Sequence, residues 1–202
     1  MPAVDYIDQY RALHQTRLNY GSSSHQFYHP LRPLLFDVGD KRVLEYGAGK
    51  SRLIDTIKKQ SGISGERYDP AIPDIAILPN GPFDLVFCVD VMEHIPENEV
   101  GKVLANIRNL SPKAFFHVST RYARAILPNG ENAHVTVKSA AWWHAQLAGH
   151  FGSIIPLRER EDQFTCITWR PQFFLFWLSK LLLAFRYGKT RQKKFDVSGK
   201  PV

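Results

Sequence analysis

The sequence predicts an α/β fold: a doubly wound, mostly parallel sheet of seven strands that ends in an antiparallel hairpin. Three observations lead to this class. Apolar strand-like runs alternate with segments of helical periodicity, a glycine-rich turn follows the first run, and a short charged turn joins the last two. We also expect an N-terminal lid helix before the sheet and an apolar helix after it.

Three regions divide the 202 residues. Residues 1–39 hold an amphipathic helix and a polar loop, residues 40–171 hold the sheet, and residues 172–202 hold the apolar helix and a basic tail. With 44% hydrophobic residues, the chain can bury the core of one domain. The N-terminus lacks the apolar core of a secretory signal, so we expect a cytoplasmic protein.

The individual elements follow from periodicity and from the residues that interrupt it. Strands are predicted at 43–45, 63–69, 75–78, 85–89, 113–120, 153–159 and 163–170, and helices at 3–20, 50–60, 97–110, 139–151 and 173–187. The run at 75–78 is predicted as an edge strand. Cys88 and Cys166 fall in different buried strands, so we expect free thiols.

The most informative stretch is 43–52, Val-Leu-Glu-Tyr-Gly-Ala-Gly-Lys-Ser-Arg. A strand that ends at Glu45 turns through Gly47 and Gly49 into a helix. Glycine accepts a positive φ and lets a ligand approach the backbone, and the helix N-terminus adds partial positive charge. The stretch therefore predicts a ligand site in which Glu45 favours a positively charged ligand; the alternative is a tight turn without a ligand.

Two phosphate-binding motifs share these letters, and each fails at one residue. A P-loop would have its first glycine at Leu44, although Gly-Lys-Ser at 49–51 matches its end. A dinucleotide fingerprint would need a small residue where Arg52 stands. A nucleotide hydrolase or kinase with Asp90 as metal ligand is therefore the alternative that the missing glycine argues against.

A second motif follows the central apolar run 85–89, where the chain continues Asp90-Val91-Met92-Glu93-His94. Together with the acid-x-Gly-x-Gly pattern at 45–49, it resembles class I (Rossmann-like) S-adenosylmethionine (SAM) methyltransferases. The resemblance covers about residues 40–170. It implies a SAM-dependent methyltransferase on the predicted fold.

The resemblance also implies the residues that hold SAM, which are Tyr20, Glu45, Gly47, Ala48, Gly49, Asp69, Asp90 and Val91. Asp69 ends the second strand 24 positions after Glu45, where an acid accepts hydrogen bonds from ribose hydroxyls. In similar enzymes an N-terminal helix covers the pocket, and Tyr20 could place its ring against the sulfonium. The alternatives are that Asp69 forms a turn before Pro70 and that Tyr20 anchors the loop.

Methyl transfer to oxygen requires an acceptor held in line and, in most cases, a base that removes its proton. The candidate groups at the ends of the fourth and fifth strands are Asp90, Glu93, His94, His117, Arg121, Tyr122 and His134. We favour His134 as the general base, with His94 as a second catalytic candidate. His117 alternates with apolar neighbours and is typical of a core histidine.

A metal site is a more specific alternative to a histidine general base. Asp90, Glu93, His94 and His134 form an oxygen and nitrogen set that suits Mg²⁺ or Mn²⁺. The set is similar to that of metal-assisted methyltransferases of the ubiquinone pathway and of small-RNA 3′ ends, which implies a metal that lowers the acceptor's pKa. Against it, the first acid is Asp rather than Glu, and Glu-His also caps a helix in metal-free relatives.

The acceptor is predicted only by class. We expect methyl transfer to oxygen, or secondarily nitrogen, of a small molecule, a sugar or glycolipid headgroup, or a quinone precursor. The net charge of +7 favours an anionic acceptor. Nucleic acid is not indicated by the body of the chain, because no basic and aromatic residues interleave there. RNA ends would be the acceptor of the metal-assisted alternative.

The C-terminal region combines an apolar stretch at 173–187, too short to span a bilayer, with a basic tail. Residues 186–202 contain six basic residues and one acid, which is +5 of the net charge: Arg186, Lys189, Arg191, Lys193, Lys194 and Lys200 against Asp196. This pairing is typical of a segment on an anionic membrane surface, here the inner face. The alternatives are packing on its own domain or in a homodimer, or a non-catalytic membrane adaptor with a SAM-binding fold.

Overall fold

The computed structural model describes residues 5–38, 42–61, 63–187 and 194–202. Within them the α-helices are α1 (Tyr6–Thr16), α2 (Tyr28–Val38), α3 (Leu53–Ser61), α4 (Glu97–Leu110), α5 (Ala140–Ala148) and α6 (Phe173–Tyr187). The strands are β1 (Arg42–Tyr46), β2 (Ser64–Tyr68), β3 (Leu85–Val89), β4 (Ala114–Ser119), β5 (Ile155–Arg160) and β6 (Gln163–Ile167). Short 3₁₀ turns lie at Ser23–Phe27, Pro73–Ile75 and Met92–His94.

The strands form one sheet in the order β2-β1-β3-β4-β6-β5. β1 to β4 are parallel, and β6 runs antiparallel to both β4 and β5. This arrangement confirms the predicted doubly wound α/β fold with its terminal hairpin. The carboxyl ends of β1, β2, β3 and β4 therefore meet at one edge of the sheet.

The prediction of seven strands is wrong, because the described residues form six. The predicted strand at 75–78 is absent, and Pro73–Ile75 form a 3₁₀ turn instead. The Ile75 carbonyl accepts a hydrogen bond from the Asp69 amide at 2.9 Å, so it is used locally rather than in a ladder. Ile77 is exposed, so no apolar face would be buried by pairing there.

Both faces of the sheet are covered, which explains the uninterrupted apolar runs of the central strands. Alternate residues of one strand enter opposite cores: Phe116 packs with α4 and α5, whereas Phe115 packs with α2 and α3. On the first face Trp143 is fully buried. Cys88 and Cys166 are free and buried, as predicted.

The N-terminal region contributes to the same core. Phe27 and Leu31 are fully buried beside β1, β3 and β4 residues, and the Phe27 ring lies 5.8 Å from that of Phe115. The division of the chain into regions at residues 39 and 171 stays a prediction. Side chains from both sides of residue 39 pack together in one core.

Helix α6 packs on α2 in an antiparallel manner. The carboxylate of Asp37 accepts hydrogen bonds from the Gln172 amide and from Trp169 Nε1, at 2.6 and 2.9 Å. Seven residues further along each helix, the Ser179 hydroxyl donates to the Pro30 carbonyl at 2.8 Å. None of the helices in the described ranges is long and apolar enough to cross a membrane.

Residues 188–193 of the predicted basic tail lie outside the described residues, and they include Lys189, Arg191 and Lys193. Residues 194–202 are described and turn back on themselves, with a bridge between Phe195 and Pro201.

Candidate active site

A cavity of about 1800 Å³ lies at the carboxyl edge of the parallel strands. Of the residues that the sequence predicts for the site, Tyr20, Gly47, Gly49, Asp69, Asp90, Val91, His94 and His134 line the cavity. The other three, Glu45, Ala48 and Glu93, are buried and do not belong to its lining. The structure therefore brings eight of the predicted residues together in one cavity. The remaining three are buried behind the residues that line it.

The glycine turn takes the conformation that its residues suggest. Gly47 has φ 72° and Gly49 has φ 50°, both in the left-handed region. A Cβ on Gly47 would lie 2.3 Å from Val91 Cγ2, and one on Gly49 would lie 2.6 Å from the Gly21 carbonyl oxygen. The turn is held to β2, because the Gly47 amide donates to the Tyr68 carbonyl at 2.7 Å. Only glycine therefore fits at positions 47 and 49.

Asp69 closes the same side of the cavity. Its Oδ2 accepts from the Gly49 amide at 2.8 Å and its Oδ1 accepts from the Ala71 amide at 2.9 Å. Asp69 thus serves as the turn former that the sequence allowed and also lines the cavity. Each carboxylate oxygen has two lone pairs, so further hydrogen bonds to a ligand remain available.

Glu45 lies behind the turn rather than on the cavity wall. It is 1% exposed, and its carboxylate accepts a hydrogen bond from the Ser24 hydroxyl. Burial raises the pKa of Glu45 to about 7, although the hydroxyls of Ser24 and Ser51 and the charge of Arg67 act in the opposite direction. The side chain therefore fastens the N-terminal segment to β1.

Asp90 is held by the same segment. It has φ 53°, its Oδ2 accepts from the Ser23 hydroxyl at 2.5 Å, and its Oδ1 lies 3.5 Å from His117 Nε2. The other ring nitrogen of His117 lies 2.7 Å from the Thr165 hydroxyl oxygen. Asp90 is thus engaged with residues other than Glu93 and His94.

Helix α1 lines the cavity through residues such as Tyr6, Tyr10 and His14, and its role as a lid stays a prediction. The Tyr10 hydroxyl lies 3.0 Å from the His94 carbonyl oxygen and 2.9 Å from that of Ala133. Lys50 Nζ donates to the His14 carbonyl at 2.6 Å, so the end of α1 is also tied to the glycine turn. Tyr20 also lines the cavity, with its ring 6.2 Å from that of His94.

Two histidines, His94 and His134, line the same cavity. His94 Nδ1 lies 2.6 Å from the Ala133 carbonyl oxygen, and His134 Nδ1 lies 2.6 Å from the Arg121 carbonyl oxygen. A carbonyl only accepts, so each Nδ1 carries the proton and each Nε2 keeps a lone pair. Burial lowers the pKa of His94 to about 3 and that of His134 to about 4, so both rings are neutral.

Glu93 lies next to this pair. Its Oε1 accepts from the Ser119 amide at 3.0 Å, and no donor in the described part of the chain reaches its Oε2. Burial and the charge of Asp90 raise the pKa of Glu93 well above its usual range. Glu93, His94 and His134 each offer one ligand atom within 4.8 Å of the others, whereas Asp90 is not part of this group.

Two residues that the sequence did not indicate, Asn132 and Phe195, complete the surroundings of His134 and the cavity. Asn132 Oδ1 accepts from the Ala123 and His134 amides, and its Nδ2 donates to the Val197 carbonyl at 3.1 Å. Phe195, assigned to the tail, lines the cavity. The one available signal was Asp-Val-Ser-Gly at 196–199, since Asp and Gly favour tight turns.

Comparison with known proteins agrees with this geometry. A family model described as a methyltransferase domain matches residues 20–165, more than half of the chain. The chain belongs to this methyltransferase family. The match and the fold confirm the class I SAM-dependent methyltransferase that the glycine turn and the Asp-Val-Met-Glu-His stretch predict.

Solved structures show the same fold at low identity. The 1,6-didemethyltoxoflavin-N1-methyltransferase from Burkholderia thailandensis, with its substrate and S-adenosylhomocysteine bound, has a TM-score of 0.54 and 14% identity over 83% of this chain and 91% of its own. The PH0226 protein from Pyrococcus horikoshii OT3 has a TM-score of 0.50 and 13% identity over 80% of this chain and 99% of its own.

An O-methyltransferase family protein from Burkholderia thailandensis has a TM-score of 0.49 and 14% identity over 71% of this chain. The methyltransferase chain spans 57% of the length of that protein. No curated protein sequence matches the chain.

Replacing Gly47 tests the glycine turn of the methyltransferase. Gly47→Ala puts a Cβ 2.3 Å from Val91 and a side chain at φ 72°, so we expect SAM affinity to fall at least tenfold by calorimetry. Gly130→Ala is the matched control, because Gly130 has φ 89° but open space around its Cβ position. Equal SAM affinity in the two variants would contradict the assignment.

The buried Glu45 predicts a pH-dependent stability. Its pKa lies near 7 when folded and near 4.5 when unfolded, so the native state binds the proton more tightly. Stability should therefore fall as the pH rises from about 4.5 to about 7, by roughly 3 kcal/mol, and level off above. Glu45→Gln should lack this loss in urea unfolding across that range; parallel profiles for both proteins would contradict it.

Proposed function

We propose that this methyltransferase transfers a methyl group from SAM to an oxygen of a small-molecule acceptor, with nitrogen as the second choice. The observation that carries the proposal is the shared cavity. Gly47 and Gly49 of the turn and the neutral imidazoles of His94 and His134 all line this one cavity. A methyl donor at the glycine turn and an acceptor at the two Nε2 atoms can therefore share this cavity.

The residues around the turn fit SAM. Gly47 and Gly49 line the cavity with backbone alone, because Val91 and the Gly21 backbone occupy their Cβ positions, and Ala48 completes the turn. Asp69 would accept hydrogen bonds from the ribose hydroxyls, since its oxygens keep free lone pairs. When bound, SAM supplies a methyl group already activated by the sulfonium.

Charge at this edge favours the same ligand. Asp90 and Asp69 line the cavity and Glu45 lies behind it, so a cationic sulfonium and ammonium would lie in a negative field. The Tyr20 ring would offer a cation–π contact worth roughly 0.5–2 kcal/mol. Val91 would form an apolar part of the wall next to the turn.

His134 acts as the general base in this proposal. Its Nδ1–H is held by the Arg121 carbonyl, so the ring is oriented and Nε2 remains free to take a proton from the acceptor hydroxyl. The ring is neutral at pH 7 because burial lowers its pKa to about 4. His94 lies with its ring centre 4.9 Å away and would hold the acceptor.

The acceptor class follows from these two histidines and from the charge of the chain. The ring nitrogens of His94 and His134 suit a hydroxylated acceptor, such as a sugar or glycolipid headgroup or a quinone precursor. The bound substrate of the toxoflavin enzyme shows that its own fold accepts a small molecule. An acceptor screen with a radiolabelled methyl donor tests the class directly.

Replacing the base should separate binding from turnover. His134→Ala removes the proton acceptor, so we expect turnover to fall about 10²–10⁴-fold while the SAM dissociation constant stays within about twofold. The matched control is His144→Ala, since His144 is exposed outside the cavity. Unchanged turnover in His134→Ala would refute the base assignment.

A metal-assisted reaction is the second candidate, and one observation favours it. Glu93 Oε2 lacks a donor among the described residues, and Glu93, His94 and His134 each offer one ligand atom within 4.8 Å of the others, with both rings oriented through Nδ1. Glu93, His94 and His134 would hold the ion, and this donor set suits Mn²⁺ or another borderline cation. A bound cation would act as a Lewis acid on the acceptor oxygen.

Glu93→Gln distinguishes the two candidates. The amide keeps an oxygen for the Ser119 amide but loses the charge, so metal assistance predicts weaker Mn²⁺ binding by calorimetry and lower turnover. The control is Glu97→Gln on the exposed start of α4. Turnover that withstands a chelator, with no heat from Mn²⁺, would exclude the metal and leave His134 as the base.

A further inference from the structure

The outward side of α6 is apolar along its whole length. Five large side chains lie on it and are 52–79% exposed: Phe173, Phe174, Trp177, Leu181 and Phe185. We call these five the α6 apolar face. The opposite side, with Leu175 and Leu183, is buried against the domain. A helix that faces water carries polar residues on its outer side, so this face is suited to another environment.

Helix α2 also carries an exposed aromatic residue. Asp37 binds the Gln172 amide, so the end of α2 lies beside the start of α6. Phe36 precedes that contact and is 78% exposed. An exposed aromatic side chain of α2 therefore lies next in sequence to the residue that contacts the start of α6.

The charged side chains of residues 173–195 have one sign. Residues 173–195 are 23 residues with six basic side chains and no acid. In α6 itself Lys180 Nζ lies 5.2 Å from the centres of the Phe176 and Trp177 rings. Four more basic residues follow before 194, and Lys194 pairs with Glu161. A surface that binds this helix must therefore offer an apolar interior to the α6 apolar face and negative charges to the basic residues.

We propose that the α6 apolar face lies in the headgroup region of an anionic lipid bilayer, with residues 186–193 adding the electrostatic attraction. A 15-residue helix is too short to span the bilayer but suits one that lies parallel to its surface. Trp177 has the amphipathic ring that prefers this depth. A second copy would offer the same basic residues without acids to neutralise them, whereas anionic headgroups do so.

The proposal also relates the bilayer to the active site. Phe195 lines the cavity, and the seven steps along the chain from Tyr187 to Lys194 can span at most about 25 Å. The end of α6 therefore lies within about 25 Å of Lys194, whose neighbour Phe195 forms one side of the cavity. An acceptor with a lipid-borne headgroup would be presented at that side.

Vesicle co-sedimentation of the full chain tests the inference. We expect the protein to bind phosphatidylcholine vesicles that contain phosphatidylglycerol, more weakly in high salt, and to bind pure phosphatidylcholine poorly. The triple variant Phe174→Ser, Trp177→Ser, Phe185→Ser should bind about tenfold less or weaker. Ile77→Ser is the matched control, because Ile77 is 88% exposed elsewhere; it should bind like the wild type.

A second variant tests the charge. Lys189→Gln, Arg191→Gln, Lys193→Gln should remove most of the preference for anionic vesicles. The inference is overturned if the wild type does not sediment with either vesicle, or if the serine triple variant binds vesicles as well as the wild type does. It is also overturned if light scattering shows a lipid-free dimer that becomes a monomer in the serine triple variant. SAM binding, measured in parallel, should be equal in all variants, so failure here is distinct from failure of the proposed reaction.

Discussion

The site depends on how four carboxylates share one edge of the sheet without repelling one another. Asp69 is held by the Gly49 amide, Asp90 by the Ser23 hydroxyl, Glu45 by the Ser24 hydroxyl and Glu93 by the Ser119 amide. Each hydrogen bond offsets part of the cost of burial near like charges. Two of the groups, Glu45 and Glu93, still have raised pKa values because burial dominates.

Two of these donors come from one short segment, which makes the N-terminal region part of the site rather than an appendage. Ser23 and Ser24 lie in the 3₁₀ turn that precedes α2, and Phe27 of that turn packs in the core. Helix α1 is in turn bound to the glycine turn, because Lys50 donates to the carbonyl of His14. The N-terminal region, the glycine turn and the strand ends are therefore joined by hydrogen bonds.

The surroundings of His134 are assembled from a loop and the C-terminal turn. Asn132 joins them, since it holds both the His134 amide and the Val197 carbonyl. This arrangement orients the His134 ring, whereas the glycine turn follows directly from a strand of the sheet. In the proposed reaction the acceptor would therefore meet segments of irregular structure, while the cofactor would lie against the regular sheet.

The sequence by itself determined the parallel core, the glycine turn, the position of Asp69 and the histidines, because these depend on local periodicity and on residues with special backbone freedom. Tertiary structure alone decided that 75–78 forms no strand, that Glu45 lies behind the cavity wall, that Asp90 binds Ser23 instead of joining Glu93, and that Phe195 lines the cavity. These outcomes rest on contacts between distant parts of the chain, such as Asn132 with Val197. Such contacts leave no periodic trace, since their energy appears only after the intervening elements have packed.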